Sequence, residues 1–142
     1  MAKVIFSNHA ALRVRRAERE RVRRFHRDVL GCKLTRTFDD KDDFRIGEDF
    51  HIAFLYDSGS GVSADSGVSY AAEDALSDDD FLKAIFLELA ADNVEEMKQK
   101  ITAFGVRVLP VPDSHLYFQA PGGQVFRLVA ISEDLSKYEG SN

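Results

Sequence analysis

The strongest constraint on the fold of this chain is an internal repeat. Two predicted helices end at the glycines Gly31 and Gly105, which stand 74 positions apart. The same offset carries the turn Gly47-Glu48-Asp49 onto the turn Pro121-Gly122-Gly123. Two independent turn signals at one spacing indicate a duplicated structural unit.

Each copy of the unit is predicted to contain a strand, a helix and three further strands. The segment Ser7–Val14 alternates between an apolar face and a face that bears His9 and Arg13, which is typical of a half-buried strand. In the first copy a helix is predicted from about 17 to 30, followed by strands at 32–38, 43–46 and 50–56. In the second copy the strands are predicted at 84–90, 106–111, 115–120 and 124–131, with a helix that ends at Gly105.

The length of 142 residues fits a single α+β domain that covers residues 1–142. Module one covers about 4–57 and module two about 83–131. A Ser/Gly/Asp-rich stretch at 58–82 separates them and is interpreted as a linker or a lid loop. A polar tail follows at 132–142.

Composition excludes several classes of partner. The net charge of -5 argues against nucleic acid, and the eight arginines between 13 and 27 alternate with acidic residues, as on a solvated helix face. No apolar run is long enough to cross a membrane. The single cysteine, Cys32, cannot form an internal disulfide, so we expect a buried thiol in a cytoplasmic protein.

Two histidines have expected structural positions. His26 is expected on a solvated or half-buried helix face, and His115 in a turn.

Four segments in this order resemble the vicinal oxygen chelate superfamily, which groups glyoxalase I, fosfomycin- and bleomycin-resistance proteins and extradiol dioxygenases. These segments are His9–Val14, Phe25–Gly31, Phe104-Gly105 and Ala120–Val129. The resemblance implies two βαβββ modules that form a curved, partly closed sheet around a central cavity. It also implies a homodimer and a divalent metal bound by histidine and glutamate side chains of the inner strands.

The ligand positions implied by the resemblance are poorly filled in this chain. His9 matches, but the other positions fall on Ala53, on Ala84 or Phe86, and on Arg127. One donor is too few, because protein metal sites need about three side-chain ligands. His51 and Glu88 are possible substitutes, each displaced along its strand. We therefore expect no metal cofactor, with a divalent metal on relocated ligands as the alternative.

Alternation places a polar set of side chains on the inner face. The residues expected to bind a ligand are His9, Arg13, His51, Phe86, Glu88, Tyr117 and Arg127. Arg127 would hold a carboxylate or phosphate, Tyr117 would donate its hydroxyl, and Phe86 would pack against an apolar part. A competing interpretation is internal pairing of Glu88, either with Arg127 or with Arg13, which an offset of 75 residues between the two first strands aligns with Glu88.

These features predict a small-molecule-binding protein of the glyoxalase/bleomycin-resistance type, with a degenerate metal site and a small anionic or polar aromatic ligand. One alternative is a metal-dependent lyase, transferase or dioxygenase of the same superfamily. A second is a resistance protein that sequesters a drug. No catalytic residue is assigned, and the sequence leaves open whether the chain is an enzyme.

Overall fold

Two four-stranded sheets with the same strand order form the core of the chain. The structure is a computed structural model that describes residues 2–57, 85–109 and 115–132. The first unit contains β1 (His9–Val14), a 3-10 turn (Arg16–Glu18), α1 (Arg19–Arg23), a π-helical turn (Arg24–Val29), β2 (Lys33–Phe38), β3 (Lys41–Ile46) and β4 (Phe50–Tyr56). The second contains β5 (Phe86–Ala91), α2 (Val94–Phe104), β6 (Arg107–Leu109), β7 (Leu116–Gln119) and β8 (Val125–Ala130).

The strand order is β1-β4-β3-β2 in sheet one and β5-β8-β7-β6 in sheet two. In both sheets the first strand pairs in parallel with the fourth, and the other pairs are antiparallel. The two helix-ending glycines have positive φ angles, 75° at Gly31 and 94° at Gly105, which a residue without Cβ adopts readily. The predicted duplicated βαβββ unit is therefore confirmed.

Some predicted segments lie outside the described residues. These are the loop at 58–82, the tail beyond Ser132 and the part of the predicted strand 106–111 that follows Leu109. Within the described ranges, no helix is long and apolar enough to cross a membrane.

An aromatic core joins the two units. Phe25, in the π-helical turn, contacts Phe104 and Phe118 of the second unit, with ring centroids 5.2 and 5.8 Å apart. The next residue, His26, contacts Phe54 at 4.6 Å and Phe126 at 6.3 Å. Two consecutive side chains of one turn thus bind both sheets into a single core.

The turn between β7 and β8 reaches the same core from the other unit. Gly122 has a φ of 94°, and a Cβ at this position would lie 3.2 Å from side-chain atoms of Phe54 and Val22. This turn therefore requires glycine both for its backbone angle and for the close approach.

His26 corrects an expectation from the sequence, because its side chain is fully buried instead of solvated or half-buried. Its Nδ1 lies 2.7 Å from the carbonyl oxygen of Val22, and its Nε2 has no hydrogen-bond partner. Burial lowers the pKa of His26 to about 4, although the hydrogen bond with Val22 opposes this shift. The imidazole is therefore neutral in the folded protein at pH 7.

The basic helix also differs from the predicted solvated face. Strand β3 begins two residues earlier than expected, so Asp42 lies in the strand, fully buried. Arg23 Nε donates to its Oδ2 at 2.8 Å and Arg19 Nη2 to its Oδ1 at 3.0 Å. The hydroxyls of Thr37 and Tyr56 donate to it at 2.6 and 2.9 Å. Helix α1 is thus fastened to sheet one by a buried carboxylate.

The pKa of Asp42 follows from this network. Burial alone would raise the pKa of this carboxyl, but the hydrogen bonds from Arg23, Arg19, Thr37 and Tyr56 together hold it well below its usual value.

Cys32 is buried as expected, and burial raises the pKa of its thiol to about 12.

We expect Asp42→Asn to lower the free energy of unfolding by about 3–5 kcal/mol, because two partly buried guanidinium groups lose their counter-charge. Urea denaturation followed by circular dichroism measures this loss. The control is Glu20→Gln, which removes an exposed ion pair of Arg23 with a N–O distance of 3.3 Å and is expected to cost less than about 1 kcal/mol. Equal, small losses in both variants would show that the Asp42 network does not hold the helix.

The buried imidazole predicts a loss of stability in acid. The folded pKa of about 4 lies below the ordinary value of 6.5. The unfolded chain therefore binds the proton first as the pH falls, and up to about 3 kcal/mol of stability is lost from pH 6.5 to 4. Urea denaturation of wild type and His26→Phe at pH 7.5, 5.5 and 4 tests this. The difference between the two proteins should change by that amount across the series, and a constant difference would contradict the assignment.

Candidate functional site

In each sheet one face packs on the aromatic core and the other carries the predicted ligand-binding residues. In β8, for example, Phe126 and Leu128 belong to the core, while Arg127 points to the opposite face. The seven predicted residues form two groups. His9, Arg13 and His51 lie on sheet one, whereas Phe86, Glu88, Tyr117 and Arg127 lie on sheet two.

The group on sheet two centres on Arg127, which is 8% exposed. Its guanidinium carbon lies 5.8 Å from the ring centroids of both Phe86 and Tyr117. Arg127 Nη1 donates to the Tyr117 hydroxyl at 3.2 Å, and the two rings meet edge to face at 5.6 Å. This guanidinium, which lies beside both rings and is nearly buried, is shielded from water, so it attracts an anion more strongly than an exposed arginine does.

Glu88 is the counter-charge of Arg127. Its Oε2 lies 3.1 Å from Arg127 Nε, and the two residues face each other across β5 and β8. Arg127 Nε does not form a hydrogen bond with this carboxylate, so we regard the pair as a charge contact. Of the two predicted pairings of Glu88, the structure contains the one with Arg127.

The register of the strands corrects the predicted equivalence of Arg13 and Glu88. His51 pairs with His9 in sheet one, and Val125, at the same position of the repeat as His51, pairs with Phe86. His9 therefore corresponds to Phe86, and two residues further on Ala11 corresponds to Glu88. Equivalent positions in the first strands of the two units are thus three residues further apart in sequence than equivalent positions in the turns. Alternation within one strand does not reveal this difference.

On sheet one, His9 and His51 are direct neighbours on parallel strands. Arg13 lies four residues from His9 along β1. It lines a cleft of about 300 Å³ together with Asp40, Leu55, Tyr56 and Asp57. A second, apolar cavity of about 290 Å³ lies between β1 and β5 and is lined by none of the seven predicted residues.

Two basic residues next to this group were missed in the sequence analysis. Arg45 faces His51 across β3 and β4, and Lys33 faces Arg45 across β2 and β3. The signal was present, because Lys41, Asp43 and Arg45 alternate with core residues along β3. Gln119, two residues from Tyr117 on β7, is fully buried and donates through Nε2 to the Gly123 carbonyl at 3.1 Å.

The four positions at which the resemblance implies metal ligands hold mostly side chains that cannot bind a metal. The register places Phe86 in the first-strand position of the second unit, so the four positions hold His9, Ala53, Phe86 and Arg127. Among the described residues, no group of three or more histidine, cysteine, aspartate or glutamate side chains could hold a metal ion. These residues do not fit the implied metal.

Comparison with known proteins places the fold. No family model and no curated protein sequence matches the chain. Among solved structures, it is similar to the fosfomycin resistance protein FosX of Mesorhizobium loti, with 17% identity and a TM-score of 0.61 over 99% of this chain and 100% of that one. A possible glyoxalase from Bacillus cereus has 18% identity and a TM-score of 0.61 over 89% of this chain and 100% of that one.

A further similar structure is a mutant of FosX from Listeria monocytogenes, complexed with Mn(II) and 1S,2S-dihydroxypropylphosphonic acid. It has 17% identity and a TM-score of 0.65 over 97% of this chain and 100% of that one. These neighbours are members of the vicinal oxygen chelate superfamily. The chain therefore has the fold of that superfamily, and the resemblance predicted from its sequence is confirmed at the level of the fold.

Proposed function

We propose that this protein binds a small anionic or polar aromatic molecule at Arg127, without the metal ion that its fold family commonly uses. The observation that carries the proposal is the position of Arg127, buried beside the paired rings of Phe86 and Tyr117 on the face of sheet two that points away from the aromatic core. The guanidinium would hold a carboxylate, phosphate or phosphonate, and the rings would pack against the rest of the ligand.

The exposure of Glu88 supports the replacement of its carboxylate by an incoming anion. The Glu88 side chain is 35% exposed, whereas the Arg127 side chain is 10% exposed. An incoming anion can therefore replace the carboxylate, which is free to turn into water, while the cation stays in place. Phe86 is itself 42% exposed and offers an apolar surface beside the charge.

One of the structurally similar proteins binds an anion, since the Listeria FosX structure holds a phosphonic acid. This supports an anionic ligand for the present chain. That structure also contains Mn(II), but this chain has an arginine at a position where the resemblance implies a metal ligand. A cation in that place repels a metal and attracts an anion. The metal-dependent lyase, transferase or dioxygenase predicted as an alternative would need donors from elsewhere.

A homodimer is also part of the proposal. Val4, Ile5 and Phe6 are 92%, 75% and 101% exposed, and such contiguous apolar side chains on a protein surface are typical of an interface.

The other alternative is a resistance protein that sequesters a drug. Such a protein would bind its ligand at the face that carries Arg127, without turnover.

Phenylphosphonate, which combines a ring with a double negative charge, tests the Arg127 site by isothermal titration calorimetry. We expect Arg127→Gln to weaken binding by about tenfold or more, because a charged hydrogen-bond donor is lost. Glu88→Gln is the matched variant, and it should tighten binding because it removes the competing carboxylate. If both variants only lower the melting temperature and bind phenylphosphonate equally, the pair is structural and the proposal fails.

The absence of a resident metal is tested on protein purified without a histidine tag. Elemental analysis is expected to find far less than one Ni, Zn, Mn or Fe per chain. The melting temperatures of wild type and His9→Ala should respond equally to these metals, because one histidine donor is too weak to hold them. One metal per chain, or a stabilisation that depends on His9, would support the metal-dependent alternative instead.

A further inference from the structure

A row of four basic side chains crosses the face of sheet one that lies opposite the aromatic core. It consists of Lys33 on β2, Arg45 on β3, His51 on β4 and His9 on β1, each directly opposite the next. Residues opposite each other in a sheet have their side chains on the same face, and neighbouring strands lie about 4.8 Å apart. The row, which we call the basic row, is therefore about 14 Å long.

The basic row lacks counter-charges. In the part of the chain that the structure describes, none of its four side chains has an ion pair or a hydrogen bond, and the Nε of Arg45 is buried without an acceptor. Lys33 and Arg45 carry like charges directly opposite each other, which destabilises a sheet. A row of this kind therefore weakens the sheet unless something outside it supplies negative charge.

The nearest carboxylate on the same face does not serve the basic row. Asp43 lies two residues from Arg45 along β3, about 6.6 Å away. It is instead contacted by Lys41 Nζ at 3.3 Å and, more loosely, by Arg36 Nε at 3.9 Å. The neighbouring basic residues on this face are thus paired, in contrast to the basic row.

The second unit provides an internal control for the fold. The register assigns the corresponding row of sheet two to Phe86, Val125, Gln119 and Arg107. Three of these four side chains carry no charge, yet the strands pair in the same order. The architecture therefore does not require basic residues at these positions, and their presence in sheet one needs another explanation.

We propose that the basic row is a second anion site, which binds a doubly charged oxyanion group of the phosphate type through Arg45, His51 and His9, with Lys33 at its end. A tetrahedral oxyanion offers several acceptor oxygens to donors that converge from adjacent strands. This site lies on a different sheet from Arg127 and does not depend on the function proposed for that residue.

Inorganic phosphate and pyrophosphate are the probes for the basic row. Binding is followed by ³¹P NMR titration and by ¹⁵N shifts of the histidine rings. We expect the rings of His9 and His51 to shift on addition of either anion, while the ring of His26, buried in the core, stays unchanged. This measurement uses the wild-type chain, so it does not depend on how well any variant folds.

The double variant Lys33→Gln/Arg45→Gln should then weaken pyrophosphate binding by about tenfold or more, through the loss of two charged donors. Arg36→Gln is the matched control on the same sheet and should leave the affinity within about twofold, because its nearest charge is Asp43. In Arg127→Gln the rings of His9 and His51 should shift with the anion as they do in wild type, which separates this site from the one on sheet two.

Two results would overturn the proposal. One is a titration in which the signals of His9 and His51 do not move with either anion. The other is an equal affinity of wild type and the double variant, with both proteins folded by circular dichroism. If Arg127→Gln alone abolishes binding, the anion occupies the Arg127 site and the basic row has no part in it.

Discussion

The structure depends on the contact between the π-helical turn and the aromatic residues of both sheets. The consecutive residues Phe25 and His26 of this six-residue turn both lie fully buried in the core. Phe25 packs on the second unit, and His26 packs on Phe44 and Phe54 of the first. Because one turn serves both sheets, the two units share one core.

This core is not built for stability alone. A phenylalanine in place of His26 would leave no ring nitrogen without a partner, and an unsatisfied buried polar atom costs stability. The imidazole nevertheless fixes the turn, because its Nδ1 engages the Val22 carbonyl. The buried Asp42 acts in a comparable way on the same face of sheet one, since its carboxylate holds two arginines of the helix in one geometry. Polar contacts thus orient a helix that apolar packing alone would hold less specifically.

The parts of the fold predicted from sequence are those with local signals. Glycine turns, alternation and helical spacing revealed both units and the succession of strands and helix in each, and the family-like segments pointed to the fold. The errors concern long-range packing. Asp42 sits in an acidic stretch that reads as a turn, and only the arrival of Arg19 and Arg23 from the helix makes its burial favourable. His26 gave no sign of burial, because its aromatic neighbours are distant in sequence.

The same limit applies to the candidate site. Alternation correctly assigned Phe86, Glu88, Tyr117 and Arg127 to one face, but it could not fix the register of β5 on β8, which decides that Glu88 faces Arg127. It could also have led to Lys33 and Arg45, because both lie within the predicted strands 32–38 and 43–46. Register between strands that are far apart in sequence is set by the packing of the whole sheet, and a single strand does not encode it.

The duplication separates what the scaffold determines from what the side chains determine. At corresponding positions, sheet one carries Ala11 beside Ala53, and sheet two carries Glu88 beside Arg127. The backbones pair identically, yet one place holds two methyl groups and the other an ion pair. Because two copies within one chain differ this much, similarity of fold to FosX or to a glyoxalase does not transfer their metal chemistry to this chain. The ligand has to be sought from the charges that the two faces present, which are mainly those of arginine, lysine and histidine.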